Sequence, residues 1–307
     1  MTPSSLDAAD DVVAAFQIEN APVRGRIARL GAGSVDPILR RHDYPRWAAC
    51  LLGEALTLAV LSAASLKFEG RVALQAQGDG PVSLLFAEAR SDGGVRGYLR
   101  INPERWKALE RVNRGGRPHI PQLFGRQGLL ALILEPADGA AYQGVVPLDG
   151  AYLSDCAQTY FTRSEQIPTR VRLAVAELSE PGGRRTWRAG GALIQQVAGD
   201  AARGETADAF ETARAHFNTL TDLELADPDL SSARLLYRLF HEDGVRLEPA
   251  KAVLDRCTCS RERLLETLLA LPAEEVRTLG DEDGFIHADC QMCARRYSFA
   301  APEVAGG

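Results

Sequence analysis

The chain has 307 residues, 46% hydrophobic, 25% charged and 7% aromatic, enough apolar material for a substantial core and too mixed for collagen, coiled coil or disorder. Its longest apolar stretches, Ala55 to Leu66 and Leu129 to Leu134, fall short of the roughly 20 residues that span a bilayer. Met1 to Asp11 carries acids and lacks the basic and apolar regions of a signal peptide, so the expected compartment is the cytosol, with no membrane partner. The net charge of −6 is unevenly spread: residues 200–250 hold eleven acids against five arginines, and residues 251–307 hold ten acids against seven bases. An acidic C-terminal third after a mildly basic body argues against a nucleic-acid partner there.

In chain order, Pro45 to Leu66 reads as a helix, with proline suited to its first turn and apolar residues nearly all round, hence a buried one. Arg71 to Gln77 alternates, Gly78-Asp79-Gly80-Pro81 turns the chain, and Val82 to Ala87 follows, which together predict a hairpin. Short strands are expected around Arg96 to Ile101, Leu129 to Leu134 and Gly144 to Pro147. The basic stretch from Asn102 to Pro121 reads as a solvated helix and loop. The pattern to residue 202 predicts an α+β core, a meandering sheet covered by helices.

Two amphipathic helices are predicted in the acidic stretch, over residues 203–249. Phe210, Ala213, Phe217 and Leu220 form one apolar stripe; Leu230, Ala233, Leu236, Tyr237 and Phe240 form the other. Their bland reading is two helices packed on the main domain, and the sharper one is a segment whose apolar face can be uncovered. Residues 250–302 predict a small last domain, followed by a tail over 303–307. In it Ser260 caps a helix from Arg261 to about Leu271, Pro272 ends the helix, and Phe285 to Asp289 and Tyr297 to Phe299 form a hairpin around a knuckle.

Four of the six cysteines fall in that domain as Cys257-Thr-Cys259 and Cys290-Gln-Met-Cys293. In a reducing compartment, two close pairs separated by a long spacer match a tetrahedral four-sulfur zinc site; four cysteines also satisfy an iron–sulfur cluster. So short a segment buries little surface, whereas a structural zinc contributes about 10 to 16 kcal/mol to folding. Cysteines two and three positions apart can also close disulfides locally, Cys257 with Cys259 and Cys290 with Cys293. Sulfurs so bonded are no longer ligands, so an oxidant can eject the metal and melt the domain. Spacing alone leaves an inert zinc staple and a switch equally open. His287 reads as a strand-surface residue, Cys50 and Cys156 as buried apolar residues. Gly31-Ala32-Gly33 and Gly78-Asp79-Gly80 are incomplete as nucleotide-binding patterns and read as turns, and no P-loop is present.

The run Cys257-Thr258-Cys259-Ser260-Arg261-Glu262-Arg263, followed by Cys290-Gln291-Met292-Cys293 and Tyr297-Ser298-Phe299, closely resembles the C-terminal domain of the heat shock protein 33 family, redox-regulated holdase chaperones of bacteria. Val23-Arg24-Gly25, Leu52-Gly53-Glu54-Ala55, Lys67-Phe68-Glu69-Gly70, Ser164-Glu165-Gln166-Ile167-Pro168-Thr169, Gly190-Gly191-Ala192-Leu193-Ile194-Gln195 and Leu235-Leu236-Tyr237-Arg238-Leu239-Phe240 extend the resemblance over nearly the whole chain. It implies a reduced, inactive form with zinc on Cys257, Cys259, Cys290 and Cys293. It implies also an oxidised form with two disulfides, no zinc and an unfolded linker. The oxidised form dimerises and binds unfolding proteins without ATP, under oxidative stress and without enzymatic chemistry. The client-binding surface is then expected around Phe210, Phe217, Tyr237 and Phe240. A zinc-ribbon nucleic-acid binder and a dithiol oxidoreductase acting through Cys290 and Cys293 are the alternatives from other classes.

Overall fold

The computed structural model describes residues 10–66, 69–179, 182–197, 206–281 and 283–305. The Lys67-Phe68 pair and the expected boundary at 202 lie outside them. The chain divides into two compact units, Met1–Asp255 and Arg256–Gly307.

The first unit begins with strands β1 (Val12–Ile18) and β2 (Val23–Leu30), a short helix α1 (Val35–Arg40) and the long helix α2 (Arg46–Ala63). Strands β3 (Gly70–Gln77), β4 (Val82–Arg90) and β5 (Gly94–Ile101) follow, then helices α3 (Pro103–Asn113) and α4 (Ile120–Phe124). Next come β6 (Leu129–Pro136), β7 (Tyr142–Pro147), α5 (Leu153–Arg163), β8 (Thr169–Ser179) and β9 (Arg185–Gln196). Helices α6 (Thr206–Asn218), α7 (Asp222–Ala226) and α8 (Ser232–Phe240) lead into three short strands, β10 (Val245–Leu247), β11 (Lys251–Ala252) and β12 (Leu254–Asp255). The second unit holds α9 (Arg261–Leu269), α10 (Ala273–Leu279), β13 (Phe285–Asp289), β14 (Arg296–Ala300) and α11 (Ala301–Ala305).

Among the described residues, the first unit has two six-stranded sheets. One runs β10-β1-β2-β9-β8 with β11 also on β1, and the other runs β12-β5-β4-β3-β6-β7. Helix α2 lies between them: Leu52, Leu56 and Leu61 pack in one apolar cluster with Leu30, Leu173 and Leu193 of the first sheet and Leu74, Leu85 and Leu130 of the second. This explains a helix apolar on every side. By length and composition it alone among the described helices can cross a membrane, yet nearly all of it is buried in protein. Gly53 and Gly191 sit where the helix presses on the first sheet; a Cβ on Gly191 would meet Thr57 at 2.6 Å.

The hairpin predicted around Gly78-Asp79-Gly80 forms as β3 and β4, antiparallel, with Leu74 opposite Ala87. Strands β1, β2, β8 and β9 were not predicted. The first sheet is covered on both faces, by α2 and by α6 to α8, and β9 in its middle lacks the alternation that marks a half-buried strand: ten consecutive residues, Thr186 to Gln195, are buried. The basic stretch from Asn102 to Pro121 is only partly a solvated helix and loop. Trp106 is buried in the core, Arg117 reaches the buried Glu54 of α2 at 2.5 Å, and Ile120 begins α4, whose apolar residues are buried. Residues 250–255, expected in the last domain, add edge strands to both sheets of the first unit.

Helices α6 and α8 present Phe210, Phe217 and Phe240 to the first sheet, where they are 5%, 3% and 0% exposed, while Tyr237 is 65% exposed. The predicted stripe on α8 was therefore displaced. Its buried residues are Leu235, Leu236, Leu239 and Phe240, and Tyr237 turns outward and bonds through its carbonyl to His241. The stop-start signal Asp227-Pro228 separates α8 from α7, a third helix that two stripes did not anticipate.

Candidate metal centre

The sulfur-bearing segments of the second unit are built by local rules. Cys257 and Cys259 lie in irregular chain immediately before α9, and Ser260 caps that helix by accepting from the Arg263 N–H at 3.3 Å. Cys290 and Cys293 occupy a tight knuckle between β13 and β14. There the Cys290 N–H donates to Arg295 O at 2.9 Å, the Ala294 N–H donates to Cys290 O at 2.7 Å, and Ala294 takes a left-handed φ of 54°. The antiparallel pairing of β13 and β14 fixes the knuckle's position. Pro272 precedes α10 rather than a strand, and α11 closes the unit.

These elements bring all four sulfurs within 4.8 Å of one another. Cys257 and Cys290 approach to 3.8 Å, Cys259 and Cys293 to 3.4 Å, and none of the four is in a disulfide. Sulfurs about 2.3 Å from a shared centre at tetrahedral angles lie about 3.8 Å apart. The spacing and the all-sulfur donor set thus suit a zinc-sized cation. Tyr297 adds a hydroxyl 3.2 Å from the Cys259 sulfur. Burial pushes the Cys259 thiol up, but hydrogen bonds from Tyr297 and the neighbouring thiols outweigh it and bring the group down to about 7. Burial pushes Cys293 up to about 12. The Cys259 thiol therefore ionises more readily than that of Cys293.

Among the described residues, the second unit buries Leu268, Val276, Ile286, Phe299 and Val304, with Leu264, Leu265 and Leu271 partly buried against them, and Arg261 is stacked 4.6 Å over the Phe299 ring and paired at 2.7 Å to Glu303. His287 sits on β13 as expected, its ring nitrogens 2.9 Å from Ser298 Oγ and 3.0 Å from Asp281 Oδ2. Cys50 and Cys156 are buried in the first unit, and desolvation raises their thiols to about 12 and about 11, far from reactive.

A family model described as Hsp33 protein matches residues 11–300. The chain belongs to the Hsp33 family. A 33 kDa chaperonin of Caulobacter vibrioides is 49% identical over 294 residues, covering 95% of this chain and 96% of its own. A 33 kDa chaperonin of Pseudomonas aeruginosa is 38% identical over 94% of this chain and 92% of its own. The crystal structure of a 33 kDa chaperonin from Thermotoga maritima superposes with a TM-score of 0.78 at 24% identity, over 96% of this chain and 97% of that one, which establishes a common fold. Membership in the Hsp33 family supports a chaperone function, and these relatives are named as chaperonins rather than as enzymes.

Proposed function

We propose that the protein is a redox-regulated, ATP-independent holdase, inactive when reduced with zinc on Cys257, Cys259, Cys290 and Cys293 and active when those sulfurs are oxidised. The observation that carries this reading is four sulfurs gathered within 4.8 Å in a unit with five buried apolar residues among those described. Zinc, when bound, clamps the two cysteine segments together and supplies most of the unit's folding free energy.

Oxidation changes what the sulfurs can do. Each disulfide forms when two thiols give up two protons and two electrons to an oxidant such as hydrogen peroxide, which leaves as water. Cys257 with Cys259 and Cys290 with Cys293 close within their own segments, and sulfurs so paired have lost their thiolate charge and no longer bind a cation. Local pairing also leaves no sulfur link between the two segments, whereas crossed pairs would keep them tied. The remaining apolar cluster cannot hold about 50 residues folded alone.

Loss of this unit is proposed to loosen α6 to α8, uncovering the apolar faces of Phe210, Phe217 and Phe240 and the sheet beneath them for unfolding proteins. Tyr237, already outside, adds an aromatic contact in either state. The oxidised chain is also proposed to form homodimers. The test measures zinc, free thiols and suppression of client aggregation before and after peroxide with mild heat. Zinc and the four cluster thiols are expected to disappear together as suppression appears, and peptide mapping is expected to find the two local disulfides. Zinc release with no gain of suppression refutes the switch.

A further inference from the structure

The face of the first sheet beneath α6, α7 and α8 is not purely apolar. Phe16 and Ile18 of β1, Ile27 of β2, and Ala192 and Ile194 of β9 form its centre. Beside them Arg29 of β2 and Arg188 of β9 are almost fully buried, and both grip the end of α7. Arg29 donates to the carbonyls of Glu224, at 3.1 Å, and Asp227; Arg188 donates to Ala226 O at 3.1 Å and to the Asp10 carboxylate. At the start of α7, Arg172 of β8 donates to Asp222 Oδ1 at 2.9 Å. Between these groups Gly190 lets the covering main chain rest on the sheet, since a Cβ there would lie 2.1 Å from Leu225 O.

A guanidinium stays charged when buried and needs acceptors in its plane. Burial and the neighbouring Arg188 pull the Arg29 pKa below its ordinary value, with Asp10 and Asp227 opposing, so these cations depend on the groups facing them. If α7 leaves, three carbonyls and the Asp222 carboxylate leave with it, and of the named acceptors only Asp10 remains. Whatever covers the sheet next must bring apolar side chains for the centre and acceptors for the arginines. The covering segment already shows that chemistry, with eleven acids against five arginines over residues 200–250.

We propose that this sheet face, once uncovered, docks acidic amphipathic segments of unfolding proteins, their apolar side chains on β1, β2 and β9 and their carboxylates on Arg29, Arg172 and Arg188. The proposal rests on the redox-holdase reading and names the client chemistry within it. Carboxylate–guanidinium pairs are stronger than neutral hydrogen bonds and fix orientation, so the arginines select among clients that share apolar content.

The probes are three synthetic peptides with identical apolar positions at helical spacing and with Glu, Gln or Lys at every polar position, titrated by fluorescence anisotropy onto the full-length oxidised protein. The Glu peptide is expected to bind about tenfold more tightly than the Gln peptide, with Lys weakest, and high salt should erode the advantage. In the double variant Arg29→Gln, Arg188→Gln the advantage should fall below about twofold. Because that variant removes buried partners of α7, Arg172→Gln, at a half-exposed side chain, is measured beside it and should lose part of the advantage with the fold intact. Equal affinity for the three peptides, while the oxidised protein still suppresses aggregation, overturns the client chemistry and leaves the switch standing. Peptide binding that vanishes as the oxidised chain self-associates assigns the face to a second copy and also overturns it. Oxidised protein that neither binds peptide nor suppresses aggregation overturns both readings.

Discussion

The two units are stabilised by different physics. In the first, α2 is wrapped by two sheets and the apolar cluster around Leu52, Leu56 and Leu61 joins the helix to both of them, so its stability scales with buried area. The second has, among the described residues, five buried apolar side chains beside four clustered cysteines; on the proposed reading its stability belongs to whatever the sulfurs bind. Helices α6 to α8 form a layer that packs on the first sheet by apolar contact, the cover that the proposed switch would remove.

The largest effect expected from this contrast is that of metal removal. Chelation of the reduced protein should withdraw about 10 kcal/mol or more from the second unit, beyond what so small a core can replace. Hydrogen exchange should lose protection across residues 256–305, while α2 and β9 keep theirs. Persistent protection in β13 and β14 after complete metal loss would break the comparison at its root.

Deleting a large buried side chain from each apolar layer separates core from cover. Leu56→Ala in α2, at a site with no exposure, should cost about 3 to 5 kcal/mol and lower the denaturant midpoint of the whole first unit. Phe217→Ala in α6, at 3% exposure, removes similar area but should loosen the cover first, so the reduced protein gains aggregation suppression without oxidant while β9 keeps its protection. If both variants merely unfold together, the cover is part of the core.

A pH test probes Glu54, a carboxyl buried in the core against Arg117. Burial pushes Glu54 up to about 7, with Arg117 opposing, against an ordinary value of 4.5. Between these values the folded chain keeps a proton that the unfolded chain has released, so stability declines as pH rises through the window and levels off above it, a loss of about 3 kcal/mol. Urea unfolding at both ends of that range should show the decline in the native protein and a smaller one in Glu54→Gln. Parallel behaviour of the two would mean that Arg117 holds Glu54 ionised in the fold.

How much of this was legible in the sequence follows the same division. The cysteine pairs, the Ser260 cap and the β3–β4 hairpin are local signals, set by residues two to ten positions apart, and they form where their spacing predicts. Strand β9 shows no period of two because it is covered on both faces, and in β2 and β9 Arg29 and Arg188 are charged residues buried against α7, which no local pattern announces. Tyr237 was placed on the wrong side of α8 because one aromatic residue fits two neighbouring stripes equally well, and only the sheet beneath decides between them. Strands β10 to β12, two or three residues long, exist only because they add to edges already formed.

The smallest effect compares one atom in two settings. Ser231 and Ser260 each cap a helix by accepting an N–H three residues on, in the cover and in the second unit respectively. Each Ser→Ala change should cost about 1 kcal/mol, and the readouts should differ although the chemistry is the same. Ser231→Ala weakens α8 where apolar packing on the sheet is the support, so it should raise hydrogen exchange in α8 and leave metal retention unchanged. Ser260→Ala acts beside Cys259; if folding and metal binding of this unit are one equilibrium, as proposed, the same loss should emerge as roughly fivefold easier extraction by a competing chelator. A Ser260→Ala protein that holds its metal as tightly as the native chain would show that the sulfur cluster does not depend on the helix it precedes, and that the second unit has a stability of its own.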